Sequence, residues 1–278
     1  MNDFVRSKII IAMNYLLAGL TATAAGAGVF VPGTYSRETL SWATQGQGQD
    51  VVTLLVVVPA LVVSFILAKK GSPKALFFWL GVVFYLVYSY IFYTLALHFN
   101  IFFLLYCAVL GLSVYTLVYA ISLIDLEKVK SWFREDAGVK APAVYIIVVA
   151  LLFYALWLKE VVPATLTGKT PPSIIDAGLL VNPVHVLDLS LVLPAFLVVG
   201  FSLLKRRPFA FAFLPMMMSF AVFMSAAIVG MMVAMKLRDV SADISIGIIF
   251  SVFTVLNLIM LTLFLSGMKN EIGTSGLP

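Results

Sequence analysis

Three polar residues with helical spacing stand in an otherwise apolar part of the chain. Asn182, His185 and Asp188 are each three residues apart, so on a helix they would share one face. Asp188 would then lie one to two turns inside the helix, where a carboxylate is costly in lipid and should face protein or water. Histidine titrates near neutral pH, so this pair could bind a ligand or exchange protons. We therefore take Asp188 and His185 as the leading candidate ligand-binding residues.

A structural interpretation of the same segment competes with the functional one. Asn182 is a good helix N-cap, and Pro183 occupies the favoured first helical position. Asp50 could likewise cap the second predicted span, where its charge would complement the helix dipole. Asp188 lies too deep to be a cap, so both a functional role and a buried polar pairing stay open for it.

Four more residues complete the candidate ligand-binding set. They are Asp50, Thr53, His98 and Tyr88. The first two are the counterparts of His185 and Asp188 in an internal repeat, and the histidine ends an apolar run on the same side. The tyrosine belongs to a tyrosine-rich run whose hydroxyl groups need partners in hydrocarbon. Such a run could form the wall of a site for an amphiphilic or cationic ligand.

Several of these side chains could also meet at a metal ion or a haem. The candidate zinc ligands are His98, His185, Asp188, Asp50 and Asp243. Imidazole and carboxylate groups are plausible ligands of Zn²⁺, and two histidines could hold a haem iron between them. The sequence contains no closely spaced ligand motif, so the cofactor stays unknown at this stage.

The elements that must position these residues are predicted to be membrane spans. Of the 278 residues, 62% are apolar and 11% are charged, and the mean hydropathy is +1.08. Soluble domains are nearer half apolar and a quarter charged. About 20 apolar residues cross a bilayer, so roughly eight spans would leave only short loops and no room for a soluble catalytic domain. The composition predicts an all-α, polytopic membrane protein.

Charge divides the chain into eight apolar runs. They are 9–31, 51–68, 75–97, 101–124, 142–162, 184–204, 209–235 and 244–267. If the N-terminus is cytoplasmic, 13 of the 18 basic residues fall on the cytoplasmic side. Lys and Arg concentrate on that side of membrane proteins. We therefore predict a multi-pass protein of the cytoplasmic membrane with both termini inside. Membrane topology therefore explains the excess of basic residues, and the net charge of +5 does not indicate a nucleic-acid partner.

An internal repeat links the two halves of the chain. Residues 50–76 align with residues 185–211 without a gap, and nine of the 27 aligned positions are identical. The identities include Pro59 with Pro194, and a weaker similarity relates residues 31–34 to residues 162–165. The repeat predicts two four-helix units.

The predicted units are residues 1–124 and 142–278, joined by a connector, residues 125–141, that should lie along the inner membrane surface. An even number of spans per unit makes the two units parallel. Their pseudo-twofold axis would then run along the membrane normal, as in some transporters.

Three stretches resemble those of known multi-span membrane proteins. They are residues 31–35 (VPGTY), 48–53 (GQDVVT) and 182–189 (NPVHVLDL). Over most of its length the chain resembles a family of prokaryotic eight-span integral membrane proteins with no known activity. The resemblance implies the eight-span fold and brings no substrate, cofactor or site residue.

Three classes of function fit these observations, and the lipid bilayer is a partner in each. The leading class is a binding protein or transporter for a small or amphiphilic ligand, with an extracytoplasmic pocket that contains Asp188 and His185. The second is an intramembrane enzyme acting on lipid, with or without a metal, in which His185 or Asp188 is the general base. The third is a non-catalytic subunit or assembly factor that contacts another membrane protein or a second copy of this chain.

Overall fold

A computed structural model describes residues 7–240 and 244–269. Within these residues the chain forms ten helices and no β-strand. The helices are α1 (Lys8–Phe30), α2 (Leu40–Lys69), α3 (Pro73–Leu95), α4 (Phe103–Ser122), α5 (Leu126–Ser131), α6 (Lys140–Thr167), α7 (Pro172–Ala177), α8 (Pro183–Leu204), α9 (Pro208–Leu237) and α10 (Ile244–Ser266). All except α5 and α7 are long and apolar enough to cross a membrane. The structure therefore supports the predicted multi-pass membrane protein and its number of spans.

The second span begins earlier than the hydropathy pattern predicted. α2 starts at Leu40 instead of residue 51, and the Thr39 hydroxyl accepts a hydrogen bond from the backbone N–H of Trp42 at 3.3 Å. The added turns contain polar residues that neighbouring helices bury, including Thr44 and Asp50. Hydropathy cannot detect a helix of this kind. Asp50 thus lies inside α2, and its predicted role as the cap of that span is wrong.

α2 and α8 each contain one π-helical turn at matching positions. The turns are Thr53–Val57 and Asp188–Val192. Pro59 and Pro194 follow shortly after them. A proline ring clashes with the carbonyl group four residues earlier, and here that carbonyl lies within the widened turn. Thr53 and Asp188 are aligned in the predicted repeat, so the turns support it, while the duplication itself stays a prediction.

The weaker upstream similarity does not extend to conformation. Residues 31–34 form a turn after α1, and Gly33 adopts a φ of 85° there. At the corresponding position in the second half is Ala164, which lies within α6. Glycine accepts a positive φ without steric cost, whereas alanine favours the helix. The chain therefore turns after α1 but continues as a helix to Thr167 in α6.

α3 and α9 are the most buried spans and pack against each other at the centre of the bundle. α2 packs closely on α9, where Gly48 and Gly230 meet: a Cβ atom on Gly48 would lie 2.6 Å from the Gly230 carbonyl oxygen. The corresponding pair in the second half, α8 and α3, is connected by a hydrogen bond from Tyr88 to Asp188. A cavity lies beside this bond.

The connector between the two halves is docked on the protein. Phe133 packs against Phe211 and Phe264, with ring centroids 5.0 Å and 4.8 Å apart. The backbone N–H of Lys269 donates to the Trp132 carbonyl oxygen at 2.8 Å. The end of α10 therefore lies at the same end of the bundle as the connector.

Candidate ligand-binding cavity

A cavity of about 290 Å³ lies between α2, α3, α6, α8, α9 and α10. It begins near the end of the bundle that carries residues 31–39, 96–102 and 168–182, which we name the predicted outer face. It extends inward to Asn257. That residue lies about 20 Å along α10 from the first residue of the helix, Ile244. The cavity thus reaches the middle of the predicted membrane.

The cavity is largely apolar, and its described lining residues include one carboxylate. Aromatic side chains in its wall include Trp42, Phe92, Phe153, Trp157, Phe220, Phe250 and Phe253. Met224, Met231 and Met232 add flexible apolar surface from α9. Among the described residues that line it, Asp188 is the only acidic or basic side chain.

Asp188 is held at the cavity wall by two neutral donors. The Tyr88 hydroxyl donates to Oδ1 at 2.8 Å, and the Trp157 indole Nε1 donates to Oδ2 at 2.9 Å. The residue is 9% exposed. Each carboxylate oxygen has two acceptor sites, so one on each oxygen is left for another partner. The site therefore holds the Asp188 carboxyl group in place with two neutral donors and no cationic partner among them.

His185 lies one turn nearer the predicted outer face, behind Trp157. The two rings are 5.0 Å apart, and the His185 Nε2 atom is 3.6 Å from Glu160 Oε2. That Nε2 atom is buried and makes no hydrogen bond. His185 is not among the residues that line the cavity. Its contact with Trp157 connects it to Asp188 indirectly.

Asn182 occupies the helix start that its sequence predicted. Its side-chain Oδ1 accepts a hydrogen bond from the backbone N–H of Val184 at 2.9 Å, and Pro183 is the first residue of α8. The predicted N-cap is thus confirmed. This contact gives Asn182 a structural role at the start of the helix.

Asp50 occupies a separate, buried site in the first half. It is 1% exposed, and its Oδ1 accepts from the Tyr93 hydroxyl at 2.7 Å while Oδ2 accepts from the Tyr35 hydroxyl. Gly28 lies directly against this carboxyl group. Burial, and then the charge of Asp50, raise the pKa of Tyr35 well above its usual value. The Tyr35 hydroxyl therefore stays protonated and available as a donor.

Thr53 and His98 also lie apart from the cavity wall. Thr53 Oγ1 is 3.3 Å from the Tyr85 hydroxyl, between α2 and α3. His98 Nδ1 is 3.0 Å from Glu38 Oε2, and the His98 backbone N–H donates to Glu38 Oε1 at 2.7 Å. Of the seven predicted ligand-binding residues, Asp188 and Tyr88 line the cavity and bond to each other.

The proposed metal ligands do not come together in the part of the chain that the structure describes. No group of three His, Cys, Asp or Glu side chains there could hold a metal ion. His98 pairs with Glu38, and Asp50 lies in its own tyrosine-bonded site. Asp243 lies outside the described residues. The two histidines have different partners on different elements, which lends no support to a haem between them.

The sequence analysis missed Trp157, the second donor to Asp188. A tryptophan near the end of an apolar run is usually interpreted as an interface anchor, so its type carried no special signal. The spacing of Trp157 along the chain did carry a signal. Trp157 and Glu160 are three residues apart on α6, as His185 and Asp188 are on α8, and the two pairs face each other.

Eight apolar helices around a cavity with one carboxylate are consistent with the class of multi-pass integral membrane proteins. No protein-family model matches the chain, and no curated protein or solved structure is significantly similar to it. The resemblance to prokaryotic eight-span proteins therefore gains no support from these comparisons. Function must be inferred from the cavity itself.

Proposed function

We propose that this protein is an integral membrane binding protein or transporter that takes a small or amphiphilic ligand into the cavity, with Asp188 as its polar anchor. The observation that carries the proposal is the position of the Asp188 carboxylate, held by Tyr88 and Trp157 at the wall of a mainly apolar cavity. Ligand sites are typically apolar clefts with a few well-placed polar groups. The ligand enters from the extracytoplasmic side if the predicted orientation holds.

In this proposal, the other predicted site residues position Asp188, its hydrogen-bond donors or the helices that carry them. His185 packs on Trp157 and so fixes one donor to Asp188. Tyr88 and Tyr93 both lie on α3 and bond to Asp188 and Asp50, respectively. Asp50 therefore anchors the helix that supplies the other donor. Asn182 sets the start of α8.

The proposal includes two parallel four-helix repeats, residues 1–124 and 142–278, with the cavity beside the pseudo-twofold axis. The π-turns that begin at Thr53 and Asp188, which are aligned in the repeat, support this duplication. So does the central packing of α3 on α9, which are equivalent helices of the two units. Repeats of this kind are used by transporters, although a fold alone does not determine function.

The enzyme and assembly-factor alternatives have less specific support. His185, one of the two candidate general bases, does not line the cavity, and its Nε2 atom is buried beside Glu160. Asp188, the other candidate, lines the cavity and accepts hydrogen bonds from two neutral donors. Many of the aromatic and methionine side chains that could have contacted another chain instead line the cavity from within. The assembly-factor alternative does not account for an anchored carboxylate beside an apolar cavity, and the enzyme alternative has no second acidic or basic group among the described residues that line it.

Native mass spectrometry tests the proposal. The protein is purified from its source membranes and exposed to their small-molecule extract. We expect the wild-type protein to retain a molecule of defined mass. Asp188→Asn removes the anchor, and Ala221→Phe fills the cavity from α9, so both variants should lose that molecule while staying monodisperse in gel filtration.

The matched control is Val233→Phe, because Val233 is also on α9 but is 52% exposed on the outside of the bundle. This variant should retain the molecule. Retention by Ala221→Phe would place the molecule outside the cavity and contradict the proposal. A wild-type protein that retains nothing after exposure would contradict it as well.

A further inference from the structure

The charge inside the cavity is unbalanced. Asp188 is the only acidic or basic side chain among the described lining residues, and both of its hydrogen-bond donors are neutral. The nearby His185 turns its Nε2 atom towards Glu160 and does not line the cavity. A buried carboxylate without a countercharge is costly. A cationic ligand would supply the charge that the protein does not.

Four aromatic rings lie in the cavity wall on or next to the side chains that hold Asp188. Tyr88 and Trp157 both contact the Asp188 carboxyl group. Phe92 and Phe220 pack beside Tyr88, with ring centroids 5.1 Å and 5.3 Å from it. All four rings line the cavity. Aromatic rings bind cations through their negative faces, and cages of such rings recognise quaternary ammonium groups.

The remainder of the cavity fits an apolar body. Phe153 lies 5.9 Å from Phe250 and 5.8 Å from Phe253, so α6 and α10 form an aromatic wall inward of Trp157. Met224 faces the same volume from α9. Neither wall offers a charge. This part of the site favours hydrocarbon or aromatic groups over polar ones.

A second polar group marks the inner end of the cavity. Asn257 Oδ1 accepts from the Tyr145 hydroxyl at 3.0 Å, which leaves the Asn257 amide N–H groups as donors. α8 and α10 both begin at the predicted outer face, at Pro183 and Ile244. Measured from these first residues, Asn257 lies deeper in the bundle than Asp188 by about 12 Å. The two polar groups therefore lie at different depths along the cavity.

We infer that the ligand is an organic cation with a substituted ammonium head and an apolar body about 10 Å long. The head lies beside Asp188 among the four rings, and the body extends between α6, α9 and α10 towards Asn257. This inference rests on the proposed function and adds the chemical class of the ligand. It also assigns Phe92 and Phe220 as residues that determine specificity.

Three probes with one body and different head groups test the inference. The cation is 4-phenylbutyltrimethylammonium, the neutral probe is its isostere with carbon in place of nitrogen, and the anion is 4-phenylbutanesulfonate. Binding to the full-length protein in nanodiscs is measured by titration calorimetry, with empty nanodiscs as the blank. We expect the cation to bind at least tenfold more tightly than the neutral isostere, and the anion not to bind.

Two sets of variants assign that preference to the site. Asp188→Asn should reduce the affinity for the cation to that for the neutral isostere, whereas Asp176→Asn, an exposed carboxylate of α7, should leave it unchanged. Phe220→Leu keeps the carboxylate and should weaken cation binding several-fold without affecting the neutral probe. This second variant keeps the test valid if Asp188→Asn does not fold.

The failures of the two proposals are distinguishable. If the neutral isostere or the anion binds as tightly as the cation and Ala221→Phe abolishes that binding, the cavity is a binding site but the cation inference is wrong. If the cation preference survives in Asp188→Asn, the assigned anchor is wrong. If none of the three probes shows binding that Ala221→Phe abolishes, the cation inference is overturned, and the native mass spectra of the wild-type protein and of Ala221→Phe decide separately whether the proposed function stands.

Discussion

Asp50 and Asp188 have similar hydrogen-bond partners but different surroundings. Each carboxylate accepts one bond from a tyrosine of α3 and one bond from another aromatic side chain. Asp50 is closed in by Gly28 and is 1% exposed, whereas Asp188 borders the cavity. A carboxylate with no free volume beside it can hold helices together but cannot bind a ligand. Free volume, more than hydrogen bonding, distinguishes the two sites.

The buried Asp50 site depends on the absence of a side chain at residue 28. A Cβ atom there would collide with the Asp50 carboxyl group and lie 2.8 Å from the Tyr35 hydroxyl, while a Cβ atom at Gly26 meets nothing within 4 Å. We expect Gly28→Ala to lower the free energy of unfolding by roughly 1–3 kcal/mol, as overpacking does. Gly26→Ala, on the same helix, should change it by less than about 1 kcal/mol in either direction.

Reversible unfolding in mixed detergent, followed by circular dichroism, measures both variants of α1. Similar unfolding midpoints for the two variants would show that the space beside Asp50 does not constrain the fold. A folded Gly28→Ala protein in which the Asp50 side chain has moved to make room for the methyl group would show that this site is not closed.

Two irregular turns determine where polar groups lie along α2 and α8. A π-turn is an α-helix with one inserted residue, so it changes the direction of side chains locally and restores the register beyond it. Thr53 opens the turn in α2, and Asp188 opens the turn in α8. The inserted residue thus decides which way Asp188 points relative to the regular helix below.

Deletion of one residue from each part of α8 tests this role. Removing Leu191, which is 61% exposed, should convert the π-turn to a regular helix and keep both flanking segments in register. Removing Val198, which is 56% exposed and lies in the α-helical part, should rotate the buried face by about 100° and prevent folding.

Gel filtration and the melting temperature report folding of the two deletion variants, and titration with the cationic probe reports the site. We expect the Leu191 deletion to fold but to lose cation preference, because Asp188 no longer faces the cavity. If the Leu191 deletion aggregates as the Val198 deletion does, the π-turn has a structural role that our interpretation lacks.

At the scale of the whole molecule, the two halves pack unequally around a common centre. α3 packs on α9, and α2 packs on α9 through the close approach of Gly48 and Gly230. In the predicted repeat, α8 corresponds to α2 and α3 corresponds to α9. The equivalent contact, between α8 and α3, is made by the hydrogen bond from Tyr88 to Asp188 beside the cavity. The cavity therefore lies at the contact between α3 and α8, which is made by a side-chain hydrogen bond instead of close glycine packing.

The orientation of the bundle decides which compartment the cavity faces. The chain has a single cysteine, Cys107, so a Cys107→Ala background allows one cysteine to be placed at each face. We expect Lys169→Cys to react with a membrane-impermeant maleimide in intact cells, and Lys205→Cys to react only after lysis. Both positions are exposed, so access to the side chain does not differ between them.

The reverse labelling pattern would place the cavity mouth on the cytoplasmic side. The basic residues near Lys205 would then contradict the usual concentration of positive charge inside. Gel shift of the labelled protein gives the readout, and labelling of both variants after lysis is the control for reactivity.

The sequence by itself determined the features that local chemistry controls. Hydropathy is a property of each segment, so the eight spans were predictable, as was the capping of α8 by Asn182. The cost of a charge in hydrocarbon identified Asp188 as a residue that needs partners. The same local method failed at the start of α2, because neighbouring helices bury its polar turns.

Only the tertiary structure decided which partners Asp188 has and whether any space lies beside it. Trp157 and Tyr88 lie 31 and 100 residues from it along the chain, and only the folding of α6 and α3 beside α8 brings them to the carboxylate. The cavity is the volume left between six helices, so it depends on how all of them pack and is a property of no single segment.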